Sequence, residues 1–561
     1  MKILGITSGG ESGAAVFSEG EIIAAVNEER LSRIKLDCSF PYKSISACLE
    51  LCSLSSQDID LICFGFTDVA GAIAQHLTKL NSRLSEYTEK ERRIILERLL
   101  HETRIDARHE REFELCVREL FGDKEIYRTQ HHDSHKHAAF VGSGFPSALV
   151  VTCDGRGDYQ SLTISQMEKE TRKNTLLYNS YSWESLGYMY GRMTSLCGFT
   201  PNRHEGKITG LAAFGQSETF SSKLKRMIDI VNGRVRSFPG PLYTPFFSNY
   251  SQELVNLSEG YSREDLASAA QDHLENILVT LVSQFQKQSK ASRLCLAGGV
   301  FGNVKLNQKL FEIDGIEELY VFPNMGDGGL CVGGIMSYCF ENNQDCSPLG
   351  NLFLGTSIES NELRTKLISG GYEVTAPGNI QQEVCRSLGD GMIIGLVQGR
   401  MEFGPRSLGH RSILARATDT DINQKLNQRL MRTEFMPFAP CVSRDLASRC
   451  FPGIDEETLG NRHMTVTYRV SEEFQKNSPA VTHVDGTARP QVVHRSDDPF
   501  LYSLLTGMYQ EFGDLSLINT SFNLHEEPIV ESADDVMRAF RSGAVDLLVF
   551  PPYVCRLPLY L

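Results

Sequence analysis

Two stretches of this chain share one plan, and that repetition limits the folds open to it more than any other feature. Residues Lys2 to Val26 read as strand, glycine-rich turn, strand, turn at Glu19-Gly20 and strand, because β-forming residues alternate with Gly9, Gly10, Gly13 and Gly20. Residues Ala148 to Ser165 repeat the unit with the apolar strand Leu149-Val150-Val151, the turn Asp154-Gly155-Arg156-Gly157 and a second strand pattern. The pattern therefore predicts a duplicated α/β domain.

Such a duplication fits the actin and ribonuclease H-like (ASKHA) kind of ATPase domain, in which paired glycine turns face a nucleotide cleft. At 561 residues the chain is too long for one hydrophobic core. Charged residues at helical spacing from Ile73 to Glu119 predict a helical insertion over about 73–125. A helix pattern over Glu264 to Gln288 leads into the strand Leu294-Cys295-Leu296 and the turn Gly298-Gly299. Asn, Gln, Asp, Ser, Pro and Gly then cluster from Asn342 to Gly355, which places a domain boundary near 345/346. Beyond it come new α/β elements: a strand at Met392 to Val397, an arginine-rich loop at Gly399 to Arg411 and a strand at Leu515 to Asn519.

Composition narrows the function classes. No apolar run approaches the roughly 18 residues of a bilayer span, and the first residues run directly into a strand pattern, so a cytoplasmic protein is expected. The formal charge of -14, from 56 basic and 70 acidic residues, disfavours a broad nucleic-acid footprint and favours a small substrate. The 15 cysteines are scattered without a Cys-x-x-Cys pair, which argues against a disulfide framework and a four-thiolate zinc site.

Chemistry concentrates in His131-His132-Asp133-Ser134-His135-Lys136-His137. On a helix, His131 and His135 stand at i and i+4 and project from one face, as two ligands of one metal would. Asp154 and Asp327, each in a glycine-flanked stretch, are the acids expected to complete the set; His132 and His137 are expected outside it. A solvated polar helix surface is the alternative. Gly298-Gly299-Val300 with Asn303, and Lys207 before Gly210, have the form of phosphate-approaching turns. Arg400, Arg406 and Arg411 with Gly404, Pro405 and Gly409 suggest an oxyanion site, as does Asn519-Thr520-Ser521-Phe522-Asn523 after a strand; surface arginines are the alternative.

Together these pieces resemble the O-carbamoyltransferase family (NodU/CmcH/TobZ-like). The resemblance is carried by Asn27-Glu28-Glu29-Arg30, Gln130-His131-His132 with His135, Ser185-Leu186-Gly187, Gly206-Lys207-Ile208-Thr209-Gly210-Leu211-Ala212, Gly298-Gly299-Val300 with Asn303, and Gly326-Asp327. It continues through Phe403-Gly404-Pro405-Arg406-Ser407-Leu408-Gly409-His410-Arg411-Ser412, Pro437-Phe438-Ala439-Pro440, Ala488-Arg489, Asn519 to Asn523 and Glu527-Pro528-Ile529-Val530. The resemblance implies an N-terminal carbamoyltransferase domain over 1–345 and a YrdC-like α/β domain over 346–561. The latter would make carbamoyl adenylate from carbamoyl phosphate and Mg-ATP; the former would pass the carbamoyl group to an acceptor hydroxyl on a small molecule or sugar. It further implies a divalent metal on His131, His135, Asp154 and Asp327, iron first, with manganese or zinc as alternatives. Lys207, Gly210, Gly298, Gly299, Val300, Asn303 and Gly326 would line the adenylate pocket. Arg406, Arg411, Arg432, Arg489, Asn519, Ser521 and Asn523 would hold carbamoyl phosphate, with Arg489 and Ser521 catalytic. A homodimer is compatible with this scheme, and neither nucleic acid nor membrane enters it.

Two stretches depart from the family's pattern. Where relatives carry a His-Asp pair in the first loop, this chain has Gly9-Gly10-Glu11-Ser12-Gly13-Ala14, which leaves Glu11 as the ionisable candidate base there. Where many relatives have Lys-x-Arg-Glu-x-Phe-Arg, it has Met431-Arg432-Thr433-Glu434-Phe435-Met436. Competing readings are a tRNA threonylcarbamoyl-modification factor, a catalytically degenerate nucleotide-binding regulator and a sugar kinase of the actin-like superfamily.

Overall fold

The computed structural model describes residues 1–218, 220–245, 250–432 and 436–558, with the side chains of 75, 77 and 78 also left aside. Among the described residues, twelve strands belong to the N-terminal part: β1 (Ile3–Thr7), β2 (Gly13–Ser18), β3 (Glu21–Asn27), β4 (Leu61–Phe64), β5 (Ile126–Arg128), β6 (Ser147–Gly157), β7 (Gln160–Glu168), β8 (Lys173–Tyr181), β9 (Ile228–Val231), β10 (Arg234–Ser237), β11 (Arg293–Ala297) and β12 (Glu318–Val321). Ten of them form two sheets of identical plan, ordered β3-β2-β1-β4-β5 and β8-β7-β6-β11-β12. In each, the first strand pairs antiparallel with the second and parallel with the fourth, as Gly5↔Ala15 and Gly5↔Cys63 show in one and Val151↔Ile164 and Leu296↔Val151 in the other. The duplication expected from the two glycine units is therefore real at the level of topology.

β1 is wholly buried, as is β6 from Ala148 to Cys153, because helices cover their faces. The helix Leu330–Glu341 packs on β1 and on the helix His131–Ser143. One expectation is corrected here. Asp154-Gly155-Arg156-Gly157 does not turn the chain; it lies within β6, across an irregularity in register between Cys153 and Gly157. The reversal follows at Asp158 and Tyr159, both left-handed with φ of 47° and 66°, the conformation a two-residue hairpin turn demands.

The expected insertion is a pair of helices, Val69–Leu84 and Glu89–Phe121, the second opened by a capping box between Thr88 and Glu91. Among the described residues no helix is long and apolar enough to cross a membrane.

The chain forms two compact units. One contains Met1–Ile23, Cys38–Pro41 and Cys52–Pro348; the other contains Ala24–Asp37, Tyr42–Leu51 and Leu349–Leu561. The second unit thus recruits two N-terminal segments that a linear division at 345/346 leaves with the first. Arg30 explains part of this, since its buried guanidinium donates to the Gly404 carbonyl at 2.6 Å. Arg33 does likewise to the carbonyls of Pro528 and Ile529 at 2.8 and 2.7 Å.

An eight-stranded mixed sheet organises the second unit, in the order 374–375, 553–556, 547–550, 394–397, 411–416, 517–521, 439–443 and 491–493. Its strands alternate faces: Ile394, Leu396, Leu414, Leu517, Leu547 and Val549 enter one core, while Val397, Ile413, Ala415, Ile518, Leu548 and Phe550 enter the other. The fold class is thus the expected one, a duplicated α/β domain followed by a second α/β domain.

Candidate active site

The carboxyl-terminal part of β6 and the loops after β1, β11 and β12 build the site in the first unit together with the helix His131–Ser143, the position where open α/β sheets gather their ligands. His131 and His135 lie on the first turns of the helix His131–Ser143 and are 0% and 1% exposed, so this helix is buried rather than solvated. Their rings stand 4.7 Å apart, edge to face. Nε2 of His131 is 3.6 Å from a carboxylate oxygen of Asp154 and 3.6 Å from one of Asp327. Nε2 of His135 is 3.1 Å and 3.6 Å from the same two groups.

The four donor atoms all lie within 4.8 Å of one another. Both ring nitrogens of His131 are buried and lack a hydrogen-bond partner among the described residues. Distances of 3.6 Å are too long for hydrogen bonds and suit ligands that each sit about 2.1 Å from a shared cation. Two imidazoles and two carboxylates make a donor set that fits one borderline divalent ion such as iron, manganese or zinc.

Electrostatics agrees. Burial opposes a charge on His135, yet the carboxylates of Asp154 and Asp327 outweigh it and push the imidazole up to about 9. Burial likewise works against the Asp154 carboxylate, but the two histidines hold it well below the usual range. His132 faces away, with Nδ1 2.8 Å from the Thr152 hydroxyl, and burial followed by the like charges of His131 and His135 keeps it neutral. His137 bonds the Asp133 carbonyl at 2.8 Å, so both stay outside the cluster as expected.

Glycines are required here by contact. A side-chain carbon on Gly10 would fall 2.0 Å from an Asp327 carboxylate oxygen, and one on Gly157 would fall 2.0 Å from the His131 ring. The Gly298-Gly299 turn abuts the site: Gly298 has φ of 105°, and a carbon on Gly299 would lie 3.2 Å from the Asp154 carboxylate. Gly326 immediately precedes Asp327, and a carbon placed on it would lie 3.3 Å from the Glu11 carboxylate, which puts Glu11 beside the turn that carries Asp327. Ser185 donates to the Asp154 carbonyl at 3.2 Å while capping the helix Leu186–Leu196, which accounts for the Ser-Leu-Gly motif.

Asn303 caps the helix Val304–Phe311 and exchanges hydrogen bonds with Gln271. Val300 lies in the short turn between Gly299 and Gly302, and Lys207 and Gly210 lie on the helix Glu205–Leu211. Asp158 was not singled out from sequence; its carboxylate accepts from the backbone N–H of His131 at 2.7 Å and of Thr67 at 3.2 Å, and burial pushes it up to about 6. Its signal was the second acid of the same glycine-rich stretch.

In the second unit the structure gathers Arg432, Thr520, Ser521 and Asn523. Nη2 of Arg432 faces four acceptors, the Ser521 carbonyl and hydroxyl at 3.1 Å and the Asn523 carbonyl and side-chain oxygen at 2.9 and 2.7 Å. Asn519 donates to Gln491 at 2.6 Å and to the Ser407 carbonyl at 3.3 Å, tying the strand to the arginine loop. Asn519 to Ser521 lie within the strand 517–521 rather than in a turn after it.

Arg411 is 0% exposed and donates to the carbonyls of Gln398, His410, Gly399 and Thr356 at 2.7, 2.9, 3.1 and 3.3 Å. An arginine so engaged shapes its loop from within instead of presenting its fork to a ligand. Glu402, also not singled out, completes the loop by accepting from the N–H groups of Leu408 and His410 at 2.7 and 2.8 Å. Arg406 and Arg489 are half-buried near this region's sequence motifs, and the stretch 433–435 lies outside the described residues.

Comparison with known proteins accords with this arrangement. The chain matches the family model described as carbamoyltransferase N-terminus over residues 2–336 and that described as carbamoyltransferase C-terminus over residues 385–556. It is 32% identical over 458 residues to an uncharacterised protein of Methanocaldococcus jannaschii, covering 77% of this chain and 74% of that one. It is 30% identical over 556 residues to nodulation protein NolNO of Sinorhizobium fredii, covering 97% and 78%. Over 335 residues it is 28% identical to a 3'-hydroxymethylcephem-O-carbamoyltransferase of Streptomyces clavuligerus, covering 59% and 61%. With family models spanning both units and a named O-carbamoyltransferase among its relatives, the chain belongs to the carbamoyltransferase family of enzymes.

Proposed function

We propose that this carbamoyltransferase works in two half-reactions, one per unit. In the second unit, carbamoyl phosphate and ATP yield carbamoyl adenylate with release of phosphate and pyrophosphate; in the first, the carbamoyl group passes to a hydroxyl of a small-molecule or sugar acceptor in the cytoplasm. The observation that carries the reading is the convergence of His131, His135, Asp154 and Asp327 beside the Gly298-Gly299 turn.

A mixed anhydride is already activated, so the protein's work is to exclude water, orient the acceptor and accommodate the charge on the departing phosphate. His131, His135, Asp154 and Asp327 would hold a divalent cation, which would supply Lewis acidity for that charge. The backbone at Gly298 and Gly299 admits the phosphate closely, with Lys207 as a further cation and Asn303 fixing the turn. In the second unit Arg432 is the cation for carbamoyl phosphate. Its Nη2 carries two hydrogens but meets four acceptors, so it can be turned toward an entering oxyanion while the Asn523 amide N–H groups stay bonded to the carbonyls of Leu524 and Glu527.

The test withholds the acceptor. The metal-loaded chain, given ATP and carbamoyl phosphate, should form carbamoyl adenylate detectable by mass spectrometry, with pyrophosphate released in step. Failure to form it, with both substrates and metal present, excludes the two-step scheme.

A further inference from the structure

The long helix Glu89–Phe121 reaches the site with one face. Asp106, His109 and Phe113 stand at i, i+3 and i+7 and share that face. Asp106 grips Arg156, two residues beyond Asp154, through two hydrogen bonds of 3.0 and 2.9 Å. Phe113 stacks on Phe64 at the end of β4, with ring centroids 3.7 Å apart. His109 is thereby held between two anchors, half-buried, against the first loop.

A carbon placed on Gly9 would lie 3.2 Å from Nδ1 of His109, and one placed on the next residue, Gly10, would meet the Asp327 carboxylate at 2.0 Å. Neighbouring α-carbons are about 3.8 Å apart. The imidazole and the metal-ligand carboxylate therefore flank one two-residue stretch of backbone. Glu11 turns its carboxylate toward Gly326 instead.

We infer that His109 is the base of the transfer half-reaction, an assignment that rests on the two-step reading above. The acceptor's hydroxyl oxygen bonds to the carbamoyl carbon, the bond from that carbon to the bridging phosphate oxygen breaks, and AMP leaves. The hydroxyl proton passes to the neutral imidazole of His109 and from there to solvent. An imidazole can accept a proton at one ring nitrogen and pass it on to solvent, as general-base catalysis requires. The insertion helix thus contributes a catalytic group as well as a ring stacked on Phe64 of β4.

The experiment uses the full, metal-loaded chain with ATP and carbamoyl phosphate. Glycerol serves as a hydroxyl acceptor that needs a base, and hydroxylamine as a nucleophile that attacks without one. His109→Gln should form carbamoyl adenylate and carbamoylate hydroxylamine at the wild-type rates, while carbamoylation of glycerol falls by about 10²-fold. Added imidazole should restore part of the glycerol rate in His109→Ala, a rescue that a merely structural role does not produce. Equal glycerol rates in wild type and His109→Gln overturn the assignment and leave the two-step scheme standing. Absence of adenylate from the wild type overturns the scheme and this assignment with it.

Discussion

An imidazole pair one helical turn apart is a local feature, and its partners are not. His131 and His135 share a helix face whatever the fold, so their pairing could be read from spacing, whereas Asp154 and Asp327 reach them only through the sheet order that brings β6 and the loop after β12 together. The double variant His131→Ala/His135→Ala should lose its metal, against about one ion per chain in the wild type by elemental analysis; full occupancy would remove the assignment. Other residues hid their roles because burial is a tertiary property. Arg411 looks like an oxyanion ligand in sequence but is enclosed by carbonyls, and Asp158, a residue of the turn after β6, also holds the start of the histidine helix. Glu102 is a further case, a buried acid beside Arg156. Burial, only partly offset by Arg156, pushes its carboxyl up to about 7 from an ordinary 4.5. The folded state then holds the proton more tightly than the unfolded one, so this stabilisation is complete below about pH 4.5 and is lost as pH rises through about 7. Thermal melts from pH 4.5 to 7 should show the wild type losing up to about 3 kcal/mol relative to Glu102→Gln over this window. Parallel pH profiles would show that Glu102 does not titrate there.

Elements were legible where period and glycine punctuation agree, as in β1 to β3 and in the helix Arg263–Ser289. They were misplaced where a turn used residues other than glycine. The reversal after β6 is made by Asp158 and Tyr159, so the glycines upstream resemble a turn in sequence but serve close approach instead. Gly157 is the clearest instance, and Gly157→Ala should push the His131 ring aside. Overpacking of this kind costs about 1–3 kcal/mol. The variant should therefore melt earlier and bind metal more weakly, as calorimetry with and without added metal would show; unaltered melting and metal affinity would mean that β6 yields without disturbing the cluster. The long insertion helix follows the same logic at its own scale. Its exposed charges read as surface, while the inward face carrying Asp106, His109 and Phe113 becomes visible only against the first loop and Arg156.

The molecule as a whole is two units whose chain does not divide at one point. Composition places a break near 345/346, yet it cannot show that Ala24–Asp37 and Tyr42–Leu51 join the second unit, because nothing local marks a segment's long-range partners. The Asn-Glu-Glu-Arg motif owes its place to this: Arg30 reaches the Gly404 carbonyl of the arginine loop, and the Glu28 carboxylate accepts from the N–H of Ser44 at 2.7 Å. A fragment of residues 346–561 should therefore lack a sharp calorimetric transition when expressed alone, while a cooperative transition would show that the two segments are dispensable. The central proposal divides chemistry between the units. It is tested most directly by quantifying carbamoyl adenylate, in the absence of acceptor, for the wild type, Arg432→Ala and His131→Ala/His135→Ala. Adenylate should form in the wild type and in the metal-ligand variant and be at least about tenfold slower in Arg432→Ala, a loss of 1.4 kcal/mol or more in transition-state stabilisation. Undiminished adenylate from Arg432→Ala, or its disappearance only in the metal-ligand variant, would mean that the two half-reactions are not divided in this way.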